Sequence, residues 1–152
     1  MGYKEEKQHQ LDMRYLRMAR IWAENSYCVR RKVGALIVKD KMIISDGYNG
    51  TPSGFENVCE DDEGHTKPYV LHAEANAIIS ASRRDMIGAT IYLVGRDAGT
   101  GELLPDAMSC SMCKRQIINA GIDKIVIRTG EKLYRTIPVS DWIENDDSIF
   151  SL

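Results

Sequence analysis

No stretch of this chain is apolar for long enough to cross a membrane. Met1 to Gln10 are polar and charged and lack the hydrophobic core of a signal peptide, so the expected location is the cytoplasm. An excess of charge is also missing. Lys and Arg total 20 against 22 Asp and Glu, a formal net charge of -2. A dedicated binder of long nucleic acid needs a basic surface, which this balance argues against, although a local basic pocket for one phosphate remains compatible with it. Cysteine is sparse, with 4 residues whose spacing is not a disulfide framework. In a reducing compartment such thiols stay free to act as metal ligands. There is no internal repeat and no low-complexity segment. The 152 residues have the size of one ordinary domain with a real hydrophobic core. The expected organisation is therefore a single domain over 1–152, with a polar lead over 1–10 and a tail over 129–152 whose structure stays open.

Periodicity supplies the elements. Leu11, Tyr15, Met18 and Trp22 recur at three- and four-residue spacings, which predicts a helix from about Leu11 to Asn25 with those residues on its core face. Val33 to Val38 is a nearly continuous apolar run, as expected of a strand covered on both faces. Lys39-Asp40-Lys41 turns the chain into a second, antiparallel strand, Met42 to Tyr48. A long loop follows, rich in turn formers at Asn49 to Gly54 and acidic at Glu60 to Glu63. Loops of that length usually have a binding or structural task. A helix from about His72 to Arg83, a strand over Thr90 to Val94, a helix from about Ser109 to Ala120 capped by Gly121, and a strand over Lys124 to Arg128 complete the pattern. In the tail, Tyr134 to Val139 reads as a further strand and Val139 to Asn145 as a helical turn around Trp142. Strands alternating with helices predict an α/β sheet covered on both faces, with a parallel crossover from Thr90 to Lys124.

The chemistry concentrates in His72-Ala73-Glu74 and Ser109-Cys110-Ser111-Met112-Cys113. Cys110 and Cys113 are one helical turn apart, at a helix start where free backbone N–H groups favour thiolates. His72 starts the preceding helix. If the two helix starts meet, His72, Cys110 and Cys113 hold a zinc ion and leave its fourth position for water, with Glu74 off the metal to move protons. Read singly, each piece has an ordinary alternative. The cysteines could be a redox pair or half of a structural zinc site, His72 a surface histidine, and Glu74 a first-turn acid favoured by the helix dipole. A second, structural zinc is a further candidate, on Cys28, Cys59 and His65, where it would order the long loop. No clear fourth ligand accompanies it, His9 and Glu63 being the alternatives. Against it stands Cys28 as a small buried apolar residue and His65 as a solvated one.

These residues resemble the deoxycytidylate deaminases of the cytidine/deoxycytidylate deaminase superfamily, over about Leu11 to Arg128. The resemblance rests on Arg30 to Val38, on Gly47-Tyr48-Asn49-Gly50-Thr51-Pro52, on His72-Ala73-Glu74-Ala75-Asn76-Ala77-Ile78 and on Cys110-Ser111-Met112-Cys113. His-Ala-Glu and the paired cysteines carry the superfamily, whose signature is H-x-E followed by C-x-x-C. The Gly-Tyr-Asn-Gly-x-Pro segment points to deoxycytidylate. The resemblance implies a cytidine-deaminase-like three-layer α/β/α fold with a mixed central sheet of about five strands. It implies hydrolytic deamination of dCMP to dUMP and ammonia, with catalytic zinc on His72, Cys110 and Cys113, and Glu74 as proton shuttle. It also implies a homo-oligomer, often a hexamer, control by dCTP and dTTP, and in some members a second zinc. Substrate contacts fall to Asn49 and Thr51 of the loop and to Arg30, Arg31 and Arg83 for the phosphate. The competing readings are another cytosine nucleotide, nucleoside or base as substrate, and a non-catalytic zinc protein that binds a nucleotide or a partner. Two departures stand out. Ser109 occupies the position where the family commonly has proline before the first zinc cysteine, a serine expected to cap the helix through its hydroxyl. The Gly95 to Met108 loop is longer than usual.

Overall fold

The computed structural model describes residues 2–105 and 107–151. Five strands, β1 (Arg31–Lys39), β2 (Met42–Tyr48), β3 (Thr90–Asp97), β4 (Lys124–Arg128) and β5 (Tyr134–Pro138), form one mixed sheet in the order β2-β1-β3-β4-β5. Only β3 and β4 run parallel, joined by the crossover helix α4 (Ser111–Asn119); the other neighbours are antiparallel. The β1–β2 hairpin closes through Asp40 and Lys41, both at positive φ, the backbone a two-residue turn needs to match strand twist.

Strand alternation divides the core into two layers. Leu36, Val38, Tyr92, Val94 and Val126 face helix α1 (Tyr3–Ala23). On the other face, Ile37, Ile91, Leu93, Ile125 and Ile127 pack against α2 (Ala73–Ile79), α4 and α5 (Val139–Asn145). The result is the three-layer arrangement expected.

Two glycines set how closely the helices approach. A Cβ on Gly34 would land on the Ala19 carbonyl of α1, and one on Gly47 would land on the Ala73 carbonyl of α2. Side-chain bonds then fix α2 against β2: Asn76 Nδ2 donates to the Tyr48 carbonyl at 2.8 Å, and the Ser45 hydroxyl donates to the Ala77 carbonyl.

Several boundaries and faces differ from the pattern-based expectation. α1 begins at Tyr3, so most of the lead is helical, with Glu5 and Glu6 in its first turn where the helix dipole favours acids. Its buried face is Asp12, Tyr15, Leu16, Ala19 and Ala23, whereas Met18 and Trp22 are 44% and 39% exposed. The small alanines are the ones that fit against Gly34. The helix begun at His72 stops at Ile79, and α3 (Arg83–Met86) is a separate element capped by Ser82. The tail forms β5 and α5, with Val139 and Trp142 in the core.

Candidate metal centre and cleft

The starts of α2 and α4 lie side by side, as the shared crossover layer requires. His72 is the extended residue preceding α2, and Cys110 the extended residue preceding α4. His72 Nδ1 lies 3.3 Å from Cys113 Sγ and 3.5 Å from Cys110 Sγ. One ligand atom from each of the three residues falls within 4.8 Å of the others. A tetrahedral zinc with ordinary Zn–N and Zn–S lengths separates such atoms by about 3.5 Å, so the three residues fit that ion. Glu74 is outside this group but is buried beside it, 4% exposed.

The electrostatics point the same way. Burial raises the Cys113 thiol far above its ordinary range, and the charges of Glu74 and Cys110 raise it further. A thiolate there needs a cation beside it, and a bound zinc supplies one.

These groups open into a cleft of about 370 Å³, a size suited to a small ligand. Arg30, Arg31, Asn49, His72, Glu74 and Cys110 are in its wall. β3 runs on to Asp97 by pairing with β1, so the strand is longer and the loop shorter than expected, and the segment after it contributes Leu104, Ala107 and Met108 to the cleft. Asn49 spans two strand residues: its Oδ1 accepts from Val33 N and its Nδ2 donates to the Arg31 carbonyl, both at 2.9 Å. Each of these groups keeps one further hydrogen-bonding position, and the two bonds hold β1 and the loop together at the cleft.

Other anticipated site residues lie elsewhere. The Thr51 hydroxyl is within 2.7 Å of the Tyr27 hydroxyl and donates to the Glu56 carbonyl, so it braces the loop outside the cleft wall. Arg83, expected on the His72 helix, sits beyond that helix's end and donates through Nε to the Asn119 carbonyl at the far end of α4. Ser109 does not cap α4, and its buried hydroxyl has no partner among the described residues; Cys110 holds the cap position without a side-chain bond.

The second-metal expectation also changes. Cys28 and Cys59 meet, but as a disulfide, which corrects the expectation that all four thiols stay free: the pairing joins two loops 31 residues apart, which cysteine spacing does not reveal. The carboxylate beside them is Glu60, whose ligand atom lies within 4.8 Å of both sulfurs. His65 is not in that group. Its Nδ1 lies 3.7 Å from Asp61 Oδ2 and 3.6 Å from Glu63 Oε2, at the surface. His65 therefore neither joins the loop cysteines nor closes the site on His72. Glu60, buried and accepting from Val29 N, is a cleft residue that sequence reasoning missed. It lies in an acidic run, Glu60 to Glu63, in which nothing local marks out the one carboxylate that is buried.

The described residues contain no helix long and apolar enough to cross a membrane. A sequence profile described as the cytidine and deoxycytidylate deaminase zinc-binding region matches residues 9–129. Deoxycytidylate deaminase of Mycobacterium phage D29 is 33% identical over 129 residues, covering 76% of this chain and 91% of that one. Deoxycytidylate deaminase of Saccharomyces cerevisiae is also 33% identical, over 127 residues and 76% of this chain, but the match spans only 36% of the longer yeast protein. Among solved structures, dCMP deaminase from the cyanophage S-TIM5 in complex with dCMP and dUMP superposes with a TM-score of 0.65 at 28% identity, covering 98% of this chain and 94% of that one. With the profile spanning both helix starts and the strands that bring them together, this chain belongs to the cytidine and deoxycytidylate deaminase family.

Proposed function

We propose that the protein hydrolyses dCMP to dUMP and ammonia at the cleft floored by His72, Cys110 and Cys113. The observation that carries this reading is the separation of roles: three ligand atoms converge while a buried carboxylate, Glu74, stands beside them outside the ligand group. A closed structural site has no use for such a carboxylate. The names of the phage and yeast relatives, and the nucleotides bound to the cyanophage enzyme, support dCMP as the substrate.

His72, Cys110 and Cys113 would hold a zinc ion, which would supply a polarised water of lowered pKa. The residues do the rest. Glu74 takes one proton from the water as its oxygen bonds to C4 of the cytosine ring, and delivers that proton to N3. It then carries the remaining hydroxyl proton to the amino group. The C4–N bond breaks, ammonia leaves and the C4 carbonyl remains. Arg30 and Arg31 are the cationic groups available to a 5'-phosphate. Asn49 offers its two remaining hydrogen-bonding positions to the sugar or base edge.

The same reading carries homo-oligomerisation, with a hexamer as the expected form, control by dCTP and dTTP, and a cytoplasmic location. Exposed Phe55, Val58, Tyr69 and Leu71 on the long loop are the apolar surface that supports an assembly. Ammonia release from dCMP, deoxycytidine, CMP and dCTP tests the function. Fast release from dCMP, with deoxycytidine slow, is expected. Equal release without the 5'-phosphate would move the substrate to the nucleoside, and no release from any of the four, with dCTP also tried as activator, would overturn the reading.

A further inference from the structure

The opposite face of the sheet carries an arrangement that the deaminase chemistry does not use. Strand alternation puts Lys32, Arg96 and Arg128 on the α1 side, at the end of the sheet where β3 and β4 finish. Arg96 and Lys32 are direct cross-strand partners, a like-charge pairing that destabilises a sheet unless something offsets it. From α1, Arg20 reaches the same corner: it pairs with Glu131 at 3.2 Å and donates to the Gly101 carbonyl, the residue beside which Arg96 Nη1 also lies. Arg128 is 4% exposed, donates to the Gly130 and Glu131 carbonyls and shares the Glu131 carboxylate with Arg20. The positive charges of Arg20 and Arg17 bear on it directly.

Among the described residues, two donors there are buried and without a partner, Arg128 Nη1 and Arg96 Nε. Among the described residues, the ion pairs of this group all go to Glu131, which is 70% exposed. Unpaired guanidinium donors in a buried setting are costly, and such groups call for an explanation.

We infer that the corner formed by Arg20, Lys32, Arg96 and Arg128 is an anion site that takes a phosphate or polyphosphate group. A multi-oxygen anion accepts from the forked guanidinium donors, and the number of cations favours more than one phosphate. The site stands independently of the deaminase reading, being on the other side of the sheet from the cleft. The two share one loop: Gly101 is held by Arg20, and Leu104 lines the cleft.

Isothermal titration of the zinc-loaded full chain with inorganic tripolyphosphate, and in parallel with dCTP, tests the site. Zinc content is measured after each titration so that chelation is recognised, and chloride at matched ionic strength is the blank. Tripolyphosphate is expected to bind. Arg96→Gln and Lys32→Gln should each weaken it about tenfold, a loss of about 1.4 kcal/mol, while Arg84→Gln, a fully solvated arginine elsewhere, should leave it unchanged. The two variants are at partly exposed positions, and circular dichroism verifies their fold. If dCTP binds through the same corner, its affinity falls in parallel; if the variants spare dCTP while weakening tripolyphosphate, the source is a free polyphosphate. Absence of tripolyphosphate binding, or binding that Arg84→Gln weakens as much as Arg96→Gln, would overturn the proposal.

Discussion

Two cysteine pairs approach the same cleft. Each sends one sulfur to its wall, Cys110 or Cys28, buries the other, Cys113 or Cys59, and keeps a buried glutamate nearby, Glu74 or Glu60. Their fates differ. Cys110 and Cys113 lie at the start of α4, opposite the start of α2, and His72 Nδ1 lies within 3.5 Å of both sulfurs. Cys28 and Cys59 come from two loops with no histidine within reach, and they bond to each other. The glutamates separate too: Glu60 accepts from the Val29 backbone N–H, so it is a structural acceptor, whereas Glu74 is buried beside the His72 group. Cysteine pairing and acid content alone would not distinguish the two places. The helix starts, and the histidine that one of them presents, do.

The comparison can be broken most sharply at the first pair. Cys113→Ser should abolish zinc retention and reduce ammonia release to background, because a two-ligand remnant is left in a buried setting; zinc per chain by elemental analysis checks it. Retained stoichiometric zinc would remove the distinction between the pairs. At the second pair, replacing both Cys28 and Cys59 by Ser should leave zinc at the His72 site intact but lower stability. The bridge spans 31 residues, for which loop-closure entropy gives about 4 kcal/mol. A urea midpoint reads the loss, and disappearance of the zinc instead would show that the two places are one unit.

Asn49→Ala tests the strap between β1 and the loop. It removes two hydrogen bonds and leaves the Val33 N–H without an acceptor, so a loss of roughly 2 kcal/mol is expected, together with a raised KM. A KM effect with full stability would mean that Asn49 serves the ligand alone.

The smallest effect lies away from both pairs, where Lys114 of α4 holds the tail. Its ammonium bonds to Asp146 at 2.6 Å and, with the Ser148 hydroxyl, brings that carboxyl from 3.8 to about 2. A carboxyl lowered on folding stabilises fully above its unfolded pKa and loses that contribution as pH falls through the folded value. Protection of tail amides from hydrogen exchange should therefore decline between about pH 4 and pH 2 in the native chain. In Asp146→Asn it should already be low at neutral pH and change little over that interval.

Most of this arrangement was legible in the sequence because its signals were local. Turn residues bounded β1 and β2, Gly121 stopped α4, and the spacing of Cys110 and Cys113 marked them, with His72, as a candidate ligand set whose ligand atoms the fold brings within 4.8 Å. What sequence could not show depended on partners distant in the chain. The buried stripe of α1 runs through Ala19 and Ala23 because Gly34 of β1 lies beneath them, which no periodicity within α1 reveals. Arg83 left the cleft because α2 ends at Ile79 and Ser82 caps a separate helix, α3, that begins at Arg83. His65 was close to Cys59 in sequence, yet the turn over 61–65 points it toward Asp61 and Glu63. Thr51 followed a ligand-like motif but was drawn off by Tyr27, a residue 24 positions earlier.

The most direct test of the account is Glu74→Gln, with zinc content and ammonia release from dCMP measured on the same sample. The variant keeps the shape and removes the proton carrier. One zinc per chain should be retained while release falls by a factor of about 10² to 10⁴, the usual contribution of a general acid–base group. Loss of the zinc would make Glu74 a ligand, and an unchanged rate would place proton transfer elsewhere; either result would contradict the division of roles between His72, Cys110 and Cys113 on one side and Glu74 on the other.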